Sequence, residues 1–373
     1  MNRRNFSRLA MTLPLAAAAS SNASGSSSPA PQPEDRDETE QSTYDGGLTD
    51  IDGFRVGHYT DPEQNTGCTV VLCGQGAVGG VSVRGASPGT RETDLLKPES
   101  TVEKVHAVML SGGSAYGLET AAGAMQYLEE RGIGYQVGDQ IIPIVPAAIL
   151  YDLRGRNAHI RPGKAEGYQA CKNATDGLVQ EGSVGAGAGA TVGKLLGADR
   201  GMKGGIGSFS ITVEDLTVAA LVALNAAGDI VDPSSGQIIA GARQGARSAE
   251  FADVSRHLRQ SKLAALQSGD GENTTLAVIT TNASLTKAQA GKVADMAHNG
   301  YARTIRPAHT QVDGDTIFAL SSGALSDFNP LQVGHLAAEA VAEAVVRAVK
   351  TAEPIRGFPS YETLIQLRRQ RRG

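Results

Sequence analysis

At 373 residues, with 40% hydrophobic and 20% charged residues, the chain can bury a large core as one big domain or two smaller ones. Forty-six glycines, 4% aromatics and no Trp point to tight turns and close backbone approaches, and they exclude a platform of stacked rings. A net charge of −5 argues against a nucleic-acid partner.

Residues 1–19 open with the pair Arg3 and Arg4, followed by Phe6, and continue into the apolar run LAMTLPLAAAA. A basic start, a short apolar region and small residues read as a cleavable export signal of twin-arginine type, which makes the expected location periplasmic or secreted. The apolar run is too short for a transmembrane helix and none follows, so no membrane span is expected. Residues 20–46 are a Ser/Pro/acid linker with almost no apolar content, for which disorder is expected. A single domain is expected over residues 47–373, with folding beginning near Leu48.

Two β-like runs, CTVVLC and VGGVSV, lie between Cys68 and Val83 and predict a pair of strands joined by a Gly-rich turn. Cys68 and Cys73, five apart in the first, point to opposite faces and cannot bond; with Cys171 they read as small buried thiols. KVHAVMLSGG, residues 104–113, reads as a strand entering a turn. Leu118, Ala122, Met125 and Leu128 then keep helical spacing up to a C-cap at Gly132. A strand ending in AAILYDL and a helix around Ala165 to Ala174 follow. SFSITVED and TVAALVALN read as two strands of a hairpin, and EFADVSRHLRQSKLAALQ as an amphipathic helix. Strand and helix then alternate: TLAVITT, LTKAQAGKVADMAHNGYA, DGDTIFALSS and VGHLAAEAVAEAVVRAVK. Hairpins mixed with helices predict an α+β layered domain.

The Gly/Ala segment GAGAGATVGK, Gly185 to Lys194, fails as a phosphate loop, because Ala188 and Leu195 stand where Gly and Ser/Thr are required. It reads better as a glycine-lined loop beside a small site. Ser114 occupies a strand-to-helix turn, but Tyr116 breaks the G-x-S-x-G pattern, and a helix N-cap is the stronger account. The seven histidines, among them His298 and His309, are scattered with no obvious partner. Asp313 and Asp315 lack the further acids of a Ca²⁺ loop, so neither metal nor cofactor is expected. In SGDGENTTLAVITTNA, residues 268–283, a polar segment meets a buried strand that starts with two threonines. Thr274 is one candidate for a residue that attacks the preceding carbonyl and becomes a chain terminus. Its α-amine, with a reference pKa near ~8, would then serve as base for its own hydroxyl.

GENTTLAVITTNA, HTQVDGDTIFAL, VGKLLG, VALNAAGDIVD, ILYDL, LSGGSAYGLE and GFRVGHYTDPEQNTGCTVVL together resemble a family of self-cleaving hydrolases. The family includes L-aminopeptidase/D-amidase-esterases, β-peptidyl aminopeptidases and nylon-oligomer endo-hydrolases. The resemblance implies a four-layer αββα sandwich, as in ornithine acetyltransferases, and a cut between Asn273 and Thr274. The α chain then ends at residue 273, the β chain is 274–373, and αβ units assemble into oligomers, commonly of four. It further implies Thr274 as nucleophile, Asn225 as oxyanion donor, Lys194 as a site lysine and Tyr151 beside the substrate amide. Asp313 and Asp315 would hold the Thr274 amine or its neighbours, in the arrangement of the nylon-oligomer branch. The expected function is an amidohydrolase or aminopeptidase acting on short peptides or amino-acid amides. The alternatives are an acyltransferase of the ornithine acetyltransferase type, an endo-hydrolase of ω-amide oligomers, and, last, an exported binding protein that has lost catalysis.

Overall fold

In the run LTVAALVALN, residues 216–225, nine of ten side chains are buried, which only a strand covered on both faces allows. In the computed structural model, which describes residues 46–153, 159–260 and 273–372, that strand lies inside a nine-stranded mixed sheet. Its strands are β1 (Arg55–Asp61), β2 (Thr66–Val83), β3 (Thr90–Arg91), β4 (Lys104–Ser111), β5 (Ala147–Ile149), β6 (Gly205–Val213), β7 (Leu216–Asn225), β8 (Thr274–Ala283) and β9 (Thr316–Leu325). They run in the order β6-β7-β8-β9-β2-β4-β5-β3, with β1 also on β2. The β8–β9 and β4–β5 pairs are parallel and the others antiparallel. The helices among the described residues are α1 (Thr120–Glu129), α2 (Lys164–Lys172), α3 (Val254–Gln260), α4 (Lys287–Thr304), α5 (Pro330–Lys350) and α6 (Tyr361–Arg372).

Side-chain alternation along the strands sorts the sheet into layers. Val218, Ala220, Val222, Ala277, Ile279 and Ile317 share a core with α4 and α5. Their sequence neighbours Leu221, Leu276, Val278 and Phe318 pack instead against Val71, Val108 and Leu110 of β2 and β4. The far face of β2 and β4, with Val70, Leu72 and Met109, meets Ala121 and Leu128 of α1 and Ala170 of α2. The result is α4/α5, two β layers, and α1/α2: the αββα sandwich. Cys68 and Cys73 sit in different cores, on opposite faces of β2, and all three cysteines are free and buried.

The glycine-rich turn expected between CTVVLC and VGGVSV is not a turn. Residues 66–83 form one 18-residue strand with a register break between Leu72 and Ala77, where Gly76 takes φ +75°. Glycine here permits a bulge that bends the strand rather than reversing it. The first half of β2 therefore pairs with β1 and the second half with β9, so one strand links the two β layers. Ser114 is also corrected. It is the first residue of a 3₁₀ turn at φ +54°, behind Gly113, and makes no capping bond. The Asp152 carboxylate caps that turn instead, accepting from the Gly113 N–H at 2.7 Å and from Thr66 Oγ1 at 2.7 Å.

Local signals set the helix starts. Thr286 and Gln289 form a reciprocal capping box at α4, worth about 1 kcal/mol, and Asn329 caps α5 ahead of Pro330. The α6 helix, which packs Leu364 into the α4/α5 core, was not anticipated. The expected export signal, the linker up to residue 45, and residues 261–267 of the amphipathic segment lie outside the described residues. No helix among those described is long and apolar enough to cross a membrane.

Helices approach the sheet backbone to backbone. A Cβ at Gly207 of β6 would stand 2.0 Å from the Ala344 carbonyl oxygen of α5, and one at Gly80 of β2 would stand 2.2 Å from the Gly291 nitrogen of α4. Gly207→Ala is expected to lose about 1–3 kcal/mol of stability, read as a lowered thermal midpoint.

Candidate active site

Thr274 is the first residue of β8 and pairs across the sheet with Asn225, the last residue of β7. Both are buried, at 2% and 0% exposure, in the interior of the sandwich rather than at its surface. In the continuous chain the Thr274 hydroxyl donates to the carbonyl oxygen of Asn273 at 2.5 Å. The same oxygen accepts the Gly314 N–H at 2.9 Å, and Asn273 bridges in parallel to Asp313. A hydroxyl therefore lies against the carbonyl that precedes it, and a backbone donor is already aimed at the oxygen that would gain charge on attack. Gly314 has room for no side chain, since a Cβ there would lie 2.6 Å from Thr274 Oγ1 and 2.7 Å from the Ser87 carbonyl oxygen.

On the other side of Thr274, the Gly/Ala loop delivers Lys194. Its ammonium is buried and donates to Asn225 Oδ1 at 2.9 Å and to the Asn225 carbonyl at 3.4 Å. The Thr191 N–H donates to the same Oδ1 at 3.0 Å, which fixes the amide so that Nδ2 is the donor end. Nδ2 meets the Tyr151 carbonyl at 3.2 Å, so the contact of Tyr151 with this cluster is made by its main chain. A second buried lysine, Lys203, clips the loop through the carbonyls of Gly187 (2.7 Å) and Gly204 (2.9 Å).

The two aspartates divide their work. Asp315 accepts the Thr275 N–H on Oδ1 at 2.8 Å, and on Oδ2 both the main-chain N–H (3.0 Å) and Nδ1 (2.9 Å) of His309. Asp313 accepts the N–H and hydroxyl of Thr310, at 3.0 and 2.5 Å. Burial first, and the neighbouring Asp315 charge second, push the Asp313 carboxyl above the usual carboxylate range. Among the described residues no group of three His, Cys, Asp or Glu is placed to hold a metal ion.

The structure thus brings Thr274, Asn273, Asn225, Lys194, Asp313 and Asp315 into one buried cluster, with Tyr151 at its edge. Sequence reasoning missed Gly314, Lys203 and His309. His309 does have a partner, contrary to expectation: Asp315, six residues on in the same HTQVDGD motif. That such a short motif closes on itself was the available signal.

The sequence profile of peptidase family S58 matches residues 46–362. The chain belongs to this family. Relatives include an uncharacterized aminopeptidase of Mycobacterium leprae, 42% identical over 84% of this chain and 92% of that protein. A 6-aminohexanoate-oligomer endohydrolase of Kocuria sp. is 32% identical over 81% of this chain and 85% of that protein. Among solved structures, the L-aminopeptidase D-Ala-esterase/amidase of Ochrobactrum anthropi, a variant of the Ntn-hydrolase fold, matches with TM-score 0.64 at 22% identity, covering 88% and 94% of the two chains. A β-aminopeptidase of Burkholderia sp. gives 0.61 at 21% identity, covering 87% and 93%. The S58 chain is accordingly a hydrolase of the aminopeptidase and amidohydrolase kind on an Ntn-type fold, as its motifs led one to expect.

In this S58 chain the tight Gly314 contact has a direct consequence. Gly314→Ala is expected to lower turnover of an amino-acid p-nitroanilide about 100-fold by displacing the Thr274 hydroxyl, with a native circular dichroism spectrum.

Proposed function

We propose that this S58 hydrolase cuts itself between Asn273 and Thr274 and then works as an aminopeptidase or amidohydrolase through the freed Thr274. The observation that carries this reading is the Thr274 hydroxyl lying 2.5 Å from the Asn273 carbonyl oxygen while Gly314 donates to that oxygen. In the cut, Thr274 Oγ1 adds to the Asn273 carbonyl carbon and the C–N bond to Thr274 breaks, leaving an ester and a free α-amine. Water then hydrolyses the ester, giving the Asn273 carboxylate and restoring the hydroxyl.

In the mature enzyme the Thr274 amine, with a reference pKa near ~8, takes the hydroxyl proton as Oγ1 attacks the substrate carbonyl. It passes that proton to the leaving amine, and water completes the cycle by hydrolysing the acyl-Thr274 ester. Lys194, bonded to the Asn225 amide opposite Thr274, contributes a buried positive charge to the pocket in which Thr274 works. Asp315 holds the adjacent Thr275 N–H and keeps the new terminus in line.

The substrates proposed are short peptides and amino-acid amides. A second reading, an endo-hydrolase of ω-amide oligomers, is favoured by the 32% identity to a protein of that name and by the Asp313/Asp315 pair. Export by the twin-arginine route to the periplasm or medium, and assembly of αβ units into a homo-oligomer, complete the proposal. They rest on Arg3-Arg4 with its apolar run and on the family resemblance.

Purified protein is expected to show a fragment of about 10 kDa beginning Thr-Thr-Leu-Ala-Val on a denaturing gel with N-terminal sequencing. Thr274→Ala should remain whole and inactive; a cut that persists in that variant sinks the proposal. Turnover of amino-acid p-nitroanilides against linear 6-aminohexanoate oligomers, followed by mass spectrometry, separates the two substrate readings. Lys194→Met is expected to cut and turn over at least about 10-fold more slowly, by loss of the buried charge.

A further inference from the structure

Cleavage before Thr274 turns the middle of a chain into a terminus, and termini fray unless something ties them down. Beyond the Asn225 pairing, the hydrogen bond that ties this one is Thr275 N–H to Asp315 Oδ1. Asp315 is in turn gripped through its other oxygen by His309, whose main-chain N–H and ring Nδ1 both reach Oδ2, at 3.0 and 2.9 Å. Because a carboxylate only accepts, the ring donates from Nδ1.

His309 adopts the left-handed backbone, φ +56°, which costs a non-glycine residue on the order of 1 kcal/mol. That conformation is what lets its N–H and its ring converge on one oxygen. The imidazole is also braced from behind. It packs edge-on to His298 of α4, 4.7 Å between centroids, and 6.1 Å from the fully buried Tyr301. His298 is itself fixed by its Nε2 donating to the Ser82 carbonyl at 3.0 Å. Burial holds the His298 ring down to about 4, so it is neutral at working pH and serves as a wall, not a charge.

The geometry points to His309 as a positioning residue: through Asp315 it fixes the Thr275 amide and so aims Thr274 both for the cut and for turnover. This rests on the reading of Thr274 as nucleophile and adds to it a residue that touches neither substrate nor the reacting atoms.

Two substitutions separate the side-chain donor from the backbone. Glycine tolerates φ +56° and removes the ring; asparagine tolerates it and offers Nδ2–H to Asp315. His309→Gly is expected to slow self-cleavage and to lower kcat roughly 10- to 100-fold with KM nearly unchanged, while His309→Asn recovers to within about threefold of wild type. A glycine variant with wild-type kcat overturns the assignment, as does an asparagine variant that folds but is as impaired as the glycine one. Should the glycine variant melt early, the asparagine variant decides alone: recovery supports the assignment and a tenfold loss overturns it. Sequencing the small fragment of the wild type keeps the two readings apart. A terminus other than Thr274 overturns the nucleophile and His309 together. The Thr274 terminus with an unaffected glycine variant overturns His309 only.

Discussion

The site depends on Thr274 being held between two strands at once. On one side it is in register with Asn225 at the end of β7, and on the other the Asn273–Asp313 bridge and the Gly314 N–H lead into the parallel strand β9. Neither neighbour alone would fix the hydroxyl against its own carbonyl. An antiparallel partner supplies the asparagine and, behind it, the lysine of the Gly/Ala loop. A parallel partner brings the turn that precedes β9, with its two aspartates, to the same end of β8. A mixed sheet is thus what lets two chemically opposite loops meet at one residue.

Burying a lysine and two aspartates around a hydroxyl is expensive unless each charge is satisfied. Lys194 donates to the Asn225 side chain and carbonyl, and Asp315 accepts three N–H groups. Asp313 is treated differently: its burial first and its neighbour's charge second raise it, so a proton resides there more readily than on an ordinary carboxyl.

Much of the scaffold was legible because the β7, β8 and β9 runs and the α4 and α5 spacings are long and apolar. TVAALVALN and TLAVITT could be placed as strands before any partner was known. Residues 66–83 were not, because a glycine run reads equally as a turn or as a bulge, and only the pairing of β2 with β9 decides. Within the site, Thr274, Asn225, Lys194 and the Asp313/Asp315 pair were singled out through motif resemblance; composition and spacing alone left each with an ordinary alternative. His309 escaped because its role depends on a left-handed backbone, and no propensity predicts that for histidine. Gly314 escaped because its requirement is a distance to a hydroxyl forty residues away in sequence. Ser114 was given a cap that Asp152 supplies across the fold, which is a tertiary contact invisible to local rules.

The topology also explains how a chain cut at residue 273 would stay whole. The strands of the distal piece, β8 and β9, are not an edge of the sheet. They lie between β7 and β2, both of which belong to the proximal piece, while α4 and α5 cover the core that β7 helps to build. Pulling the pieces apart would break the β7–β8 and β9–β2 ladders and expose Leu276, Ile279, Ile317, Phe318 and the buried valines of α5. At about 1.5–3 kcal/mol for each large apolar side chain, that loss far outweighs what one severed peptide bond gains in chain entropy. Cleavage can therefore release an amine at the heart of the molecule while leaving every strand around it paired, which is the condition for making a nucleophile out of a buried residue.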